Sequence, residues 1–174
     1  MTSYWQKRDN RTNPTGLSKR GYMYQGSIER TIGNGNSASA QITTGNTETI
    51  VYLRENATSA DTVRFRLWKT TATSGAAGSA NGYNLNTKIT TSASTSQLIA
   101  SASVTGASVT NLLAEDLVPG GAKSGGIVAC NKVRTLQPET TYLLEMQNTG
   151  SQSTIAHITM VWSENEPTPY TTID

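Results

Sequence analysis

The chain has 174 residues, with 14 basic and 12 acidic side chains and a formal net charge of +2. Thr, Ser, Asn and Gly supply 74 of them (28, 18, 13 and 15), a composition that works against helix interiors and suits pleated strands joined by turns. The single cysteine (Cys130) and single histidine (His157) are too few for an intramolecular disulfide framework, a cysteine-rich zinc site or a His-paired nucleophile, and no apolar run reaches the roughly 18 to 20 residues of a membrane helix.

Residues 1–25 read as an extended basic arm. Lys7, Arg8, Arg11, Lys19 and Arg20 stand against Asp9 within residues 1–20, a net of +4, so the remaining 154 residues sum to −2. Asn13-Pro14, Thr15-Gly16 and Arg20-Gly21 are breaker signals. Aromatic residues stand at both ends of the arm, Tyr4 and Trp5, then Tyr22 and Tyr24. The reading is of an arm that docks on an acidic partner surface, with these four residues as anchors. The start is polar and basic without an apolar centre, so it does not read as a Sec signal, and synthesis in the cytoplasm is expected.

Residues 26–166 read as one β domain. Strands are expected over Ser27–Ile32 and over Glu48–Arg54 after the turn Thr44-Gly45-Asn46. Thr62–Lys69 alternates most clearly, with Val63, Phe65 and Leu67 on one face and Arg64, Arg66 and Trp68 on the other. Further strands are expected at Tyr83–Ile89, Gln97–Val104 and Ile127–Arg134. Thr140–Gln147 and Thr154–Trp162 read as a closing hairpin joined by Asn148-Thr149-Gly150. About eight strands suit an antiparallel two-sheet β-sandwich, jelly-roll or immunoglobulin-like. Between them, Val109, Leu112, Leu113 and Leu117 share a face at helical spacing, which predicts one or two helical turns stopped by Pro119-Gly120-Gly121. Thr70–Gly82 and Pro119–Gly126 read as mobile loops, and residues 167–174 as a tail.

Leu136-Gln137-Pro138-Glu139-Thr140-Thr141-Tyr142 has the L-x-P-x-T-x-Y spacing of the corner in fibronectin type III domains, where a tyrosine hydroxyl caps a loop backbone group. Leu136, Pro138 and Tyr142 are therefore expected to build a structural corner, with Leu144 and Met146 continuing the inward face. His157 and Cys130 read as packing residues. Glu115-Asp116 and Glu164/Glu166 are the close carboxylate pairs, but sequence alone does not set them across a sugar as glycoside hydrolysis requires. Gly121-Ala122-Lys123-Ser124 lacks the glycines of a phosphate-binding loop. Arg64, Arg66 and Trp68 offer a short basic and aromatic stripe, yet the net negative body argues against nucleic acid. No catalytic residue, metal or cofactor is expected.

The polar basic arm, the Thr/Ser/Gly-rich strands and the closing block T-T-Y-L-L-E-M-Q-N-T-G-S-Q-S-T-I-A-H-I-T-M-V-W-S-E-N resemble the small β-sandwich auxiliary proteins of tailed-bacteriophage virions, of the capsid decoration or cement type. That resemblance implies a non-enzymatic structural protein located in the virion. It also implies binding to the major capsid or other virion proteins, with dimers or trimers common, and neither nucleic acid nor membrane as partner. The alternative from the residues is a carbohydrate- or receptor-binding module of a tail fibre or tail adaptor, with Trp68, Tyr83, Asn84 and Trp162 as the glycan platform.

Overall fold

The computed structural model describes residues 22–57, 61–70, 79–80, 83–85, 94–99, 109–120 and 126–164. These hold the strands β1 (Met23–Ile32), β2 (Ser37–Thr43), β3 (Thr49–Ala57), β4 (Val63–Thr70), β5 (Ser79–Ala80), β6 (Tyr83–Asn84), β7 (Gln97–Ile99), β8 (Val109–Val118), β9 (Gly126–Leu136), β10 (Thr141–Asn148) and β11 (Thr154–Glu164). They form two antiparallel sheets, the first in the order β6-β1-β11-β3-β9 and the second β5-β7-β2-β10-β4-β8.

The pairing is nested. β1 pairs β11, β2 pairs β10, β3 pairs β9 and β4 pairs β8, and successive pairs alternate between the sheets. A chain doubled back on itself and rolled in this way is a jelly roll, and the choice against the immunoglobulin-like order is thereby made. The two sheets end, among the described residues, on β6 and β9 and on β5 and β8. Among the described residues the wide ends of the two sheets are β8 and β9.

The inward faces make one core, with Trp162, Tyr24, Phe65, Ile42, Leu144, Met146, Ile158 and Met160 among its buried side chains. Alternation explains most of it. Val63, Phe65 and Leu67 are buried while Arg64, Arg66 and Trp68 stand half-buried on the opposite face, as the period of two requires. Truncating a core aromatic such as Phe65 or Trp162 to alanine would cost roughly 3–5 kcal/mol.

Four expectations are corrected. The helical turns expected over Val109–Leu117 are strand β8, paired to β4 from Val63↔Val118 to Thr70↔Val109. The ladder offered by β4 overrides a local periodicity, and Leu112, Leu113 and Leu117 end up exposed rather than in the core. The closing hairpin does not form. β10 joins β2 and β4 in the second sheet and β11 joins β1 and β3 in the first, so residues 149–153 carry the chain from one sheet to the other. Period two fixes which face is buried but not which neighbour a strand takes. Strand β2 is an addition, since S-A-S-A-Q-I-T has weak strand propensity and is held by ladders to β10 and β7. β1 begins at Met23, so Tyr24 belongs to the sandwich and not to the arm.

Within the described part of the run Tyr83–Ile89, Tyr83–Asn84 is strand, and within that of Gln97–Val104, Gln97–Ile99 is strand. Residues 86–90, 100–104, 71–78 and 121–125 from the expected strands and loops lie outside the described residues, as do the tail 167–174 and Glu166.

Candidate functional site

The corner forms as its spacing predicts. Tyr142 and Leu136 are buried, and the Tyr142 hydroxyl accepts the backbone N–H of Gln137 at 2.9 Å. Pro138 lies exposed at the bend, and Glu139 takes a φ of 49°, the single non-glycine positive value among the described residues. The conformation is held from outside the turn. Thr44 Oγ1 donates to the Gln137 carbonyl at 2.6 Å and accepts the Thr140 N–H at 2.9 Å, while the Glu139 N–H reaches the Gly45 carbonyl at 2.8 Å.

A second polar joint links the sheets. Glu164, the last residue of β11, is buried, and its carboxylate meets the segment Ser94-Thr95-Ser96 that leads into β7. It accepts Ser94 Oγ at 2.5 Å, the Ser96 N–H at 2.8 Å, and the Thr95 N–H and hydroxyl at 3.1 Å each. Burial pushes this carboxyl up, but the hydrogen bonds from Ser94, Ser96 and Thr95 to its charged form outweigh that and hold it below the ordinary value. Ser94 Oγ in turn accepts Trp162 Nε1 at 2.9 Å. The sequence reading offered Glu164 only as one of a close carboxylate pair with Glu166; the structure makes it a fully engaged anchor.

The outward face of the second sheet carries a charged and aromatic cluster. Cross-strand register sets Glu145 beside Arg66, and Arg66 Nη2 donates at 2.9 Å to Glu145 Oε1 and at 2.9 Å to Gln147 Oε1. Trp68 Nε1 donates to Glu145 Oε2 at 3.0 Å, and the Arg66 guanidinium stands 5.5 Å from the Trp68 ring centroid. The Arg64 guanidinium is 3.9 Å from Glu115. The basic stripe read from the sequence is thus largely balanced by carboxylates within the sheet itself.

Beside this cluster lies β8, the edge of the second sheet, along which Leu112, Leu113, Glu115 and Leu117 are exposed. On the neighbouring edge, β9 exposes Val133. The cleft between the two edges is lined by Leu53, Glu55, Phe65, Leu67, Ala114, Asp116 and Arg134 and has room for about one water molecule. It is no substrate pocket. Among the described residues no group of three His, Cys, Asp or Glu side chains is arranged to hold a metal ion. The chemistry this region offers is adhesive, through apolar side chains and strand-edge backbone groups.

The anticipated site residues disperse. Tyr4, Trp5, Lys7, Arg8, Arg11, Lys19 and Arg20 lie outside the described residues. Tyr22 is half-buried, its carbonyl accepting the Glu164 N–H at 3.1 Å. Tyr24 and Trp162 are both core residues, their rings stacked at 5.8 Å between centroids, so neither Tyr24 as an arm anchor nor Trp162 as a glycan platform is available to a partner. Burial follows from their inward positions on the adjacent strands β1 and β11, where Tyr24 pairs with Trp162. Tyr83 and Asn84 form β6 against Gln25 and Tyr24 in the first sheet, whereas Trp68 is on the second. The platform is therefore split, with Trp68 on the second sheet and Tyr83, Asn84 and the buried Trp162 on the first. His157 stands half-buried on the outward side of the first sheet, across from Glu29 and Asn56, and Cys130 falls within β9.

The exposed leucines of β8 were visible in the sequence, but as one side of a helix. The signal that reveals them is their surplus. Six apolar residues in ten, with Leu112-Leu113-Ala114 and Leu117-Val118 adjacent, exceed the five positions that one face of a ten-residue strand presents. Comparison with protein-family models, with curated proteins and with solved structures finds no match to the chain.

Proposed function

We propose that the protein is a non-enzymatic structural component of a virion that binds and stabilises a capsid lattice, as decoration or cement proteins do. The observation that carries this reading is the exposed leucine edge of β8 on a jelly-roll body. Solvent-facing apolar side chains along an edge strand mark a surface suited to being covered by protein. Support comes also from the basic arm, which carries +4 in residues 1–20 while the rest of the chain sums to −2, and from the resemblance to phage auxiliary proteins. Attachment to a repeating shell lets modest contacts add, because each held site raises the effective concentration at the next. The partner is the major capsid protein or another virion protein, the working form a dimer or trimer, and the final location the virion after synthesis in the host cytoplasm.

The test is incorporation. Virions assembled with the full chain should carry it in many copies by gel densitometry, and a chain lacking residues 1–20 should be lost from the particle. Full occupancy by the truncated chain would show that the arm is not the anchor, and only a few copies of the intact one would count against a lattice-binding role. The carbohydrate- or receptor-binding alternative retains Trp68, half-buried on an outward face beside Arg66 and Glu145. Saturable binding on a glycan array, abolished by Trp68→Ala, would favour it instead.

A further inference from the structure

β1 and β2 lie in different sheets, and the turn Gly33-Asn34-Gly35-Asn36 carries the chain between them. The Asn36 N–H donates to the Gly33 carbonyl at 3.1 Å and closes the turn. Gly35, third in it, has a φ of 67°, which glycine adopts without strain.

The base of this turn is held and its tip is not. Asn148 Nδ2 donates to the carbonyls of Ile32 at 3.1 Å and Gly33 at 3.3 Å, and the Asn148 N–H donates to the Asn36 carbonyl at 3.0 Å. Among the described residues no hydrogen bond involves Asn34 or Gly35, and both are exposed. A Cβ added to Gly35 would meet nothing within 4 Å, so its amide nitrogen is open to approach.

We infer that Asn34 is a modification site, converted to aspartate and isoaspartate by its own backbone and water. This goes beyond the capsid reading and does not rest on it. With its proton lost to hydroxide, the Gly35 backbone nitrogen attacks Asn34 Cγ. The new C–N bond closes a five-membered imide, and the Cγ–Nδ2 bond breaks to release ammonia. Water then opens the ring. Attack at Cγ leaves aspartate, and attack at the main-chain carbonyl of Asn34 leaves isoaspartate, whose backbone runs through the side chain. Nucleophile and carbonyl belong to adjacent residues, so the reaction is unimolecular. It requires the peptide between Asn34 and Gly35 to rotate until its nitrogen faces Cγ. Neither a hydrogen bond nor a packed neighbour at Gly35 resists that rotation.

Either product exchanges a neutral amide for a carboxylate and lowers the formal net charge from +2 to +1. Isoaspartate also adds a methylene to the main chain between Gly33 and Asn36, the two residues that Asn148 ties together. Asn36 and Asn46 are exposed as well, but Ser37 and Thr47 follow them, and a side chain there crowds the attacking nitrogen. The other Asn-Gly pair, Asn81-Gly82, lies outside the described residues.

Ageing the full-length protein in mildly alkaline buffer for several weeks tests the assignment. Trypsin releases Thr31–Arg54 as one peptide, which holds Asn34, Asn36 and Asn46 together and leaves Asn81 in another. Fragmentation in a mass spectrometer should locate the new carboxylate at Asn34, with Asn36 and Asn46 still amides. The same ageing in guanidinium gives the rate of the unfolded chain. The folded rate should lie within about tenfold of it, because an unheld tip opens at almost no cost. Gly35→Ala should slow conversion even in guanidinium, where folding plays no part. Conversion at Asn34 no greater than at Asn36, or a folded rate more than about tenfold below the unfolded one, would overturn the proposal. An unchanged rate in Gly35→Ala would also overturn it, since the attacking nitrogen would then not be that of residue 35.

Discussion

The carboxylate of Glu164 accepts the backbone N–H of Ser96 at 2.8 Å, and through this contact the final residue of β11 in the first sheet holds the segment entering β7 on the second. The charged form is the one that Ser94, Thr95 and Ser96 bind, so the folded state takes up a proton less readily than the unfolded chain. The stabilisation is present in full above the ordinary carboxyl value of 4.5 and is lost as pH falls below it through the lowered folded value. Denaturant midpoints measured from pH 7 down to pH 3 should fall on the acid side. Glu164→Gln should cost about 1–3 kcal/mol at pH 7, with the gap to wild type closing as the pH drops. A gap of constant size would mean that the carboxylate charge contributes nothing.

Tyr142→Phe removes the oxygen that receives the Gln137 N–H while keeping the ring in the core. The expected cost is about 1–2 kcal/mol, or a fall in Tm of roughly 3–6 °C for a chain of this size. Thermal melts followed by circular dichroism measure it. An unchanged Tm would show that water replaces the hydroxyl at no cost.

At the other end of the sandwich Asn148 is completely buried. Its side-chain amide donates to the carbonyls of Ile32 at 3.1 Å and Gln152 at 2.5 Å, and its Oδ1 accepts the Gly150 N–H at 2.9 Å. One side chain thus joins the end of β1 to the crossover between β10 and β11. Asn148→Ala leaves these backbone groups without their partner and should destabilise the fold by about 2–4 kcal/mol in urea titrations. A loss under half a kcal/mol would remove Asn148 from the features that set the crossover.

Leu112→Thr/Leu117→Thr changes side chains that face solvent on β8. Folding stability should shift by no more than about 0.5 kcal/mol, while occupancy on assembled particles should drop. A large loss of stability would show that the leucines are structural, and unchanged occupancy would move the contact surface elsewhere on the molecule.

Much of the architecture was legible in local patterns. Val63, Phe65 and Leu67 alternate with Arg64, Arg66 and Trp68, and the burial follows that alternation residue by residue. The corner at Leu136, Pro138 and Tyr142 was readable because it is a short-range device whose parts lie within seven residues. Little of the candidate site was. Trp162 and Tyr24 looked like exposed aromatics only because nothing local says that their strands lie side by side with both rings inward.

Composition and alternation by themselves determined an all-β sandwich with a buried face on each long strand and a basic segment ahead of it, because strand propensity and period two are properties of neighbouring residues. Only the tertiary structure decided that β10 and β11 part to different sheets, that residues 109–118 form a strand rather than a helix, and that the leucines of that strand face water. These outcomes depend on which distant strand completes each ladder. That choice is made by packing two sheets around one core, and hydrogen-bonding groups carry no label for their partner until the sheets have closed.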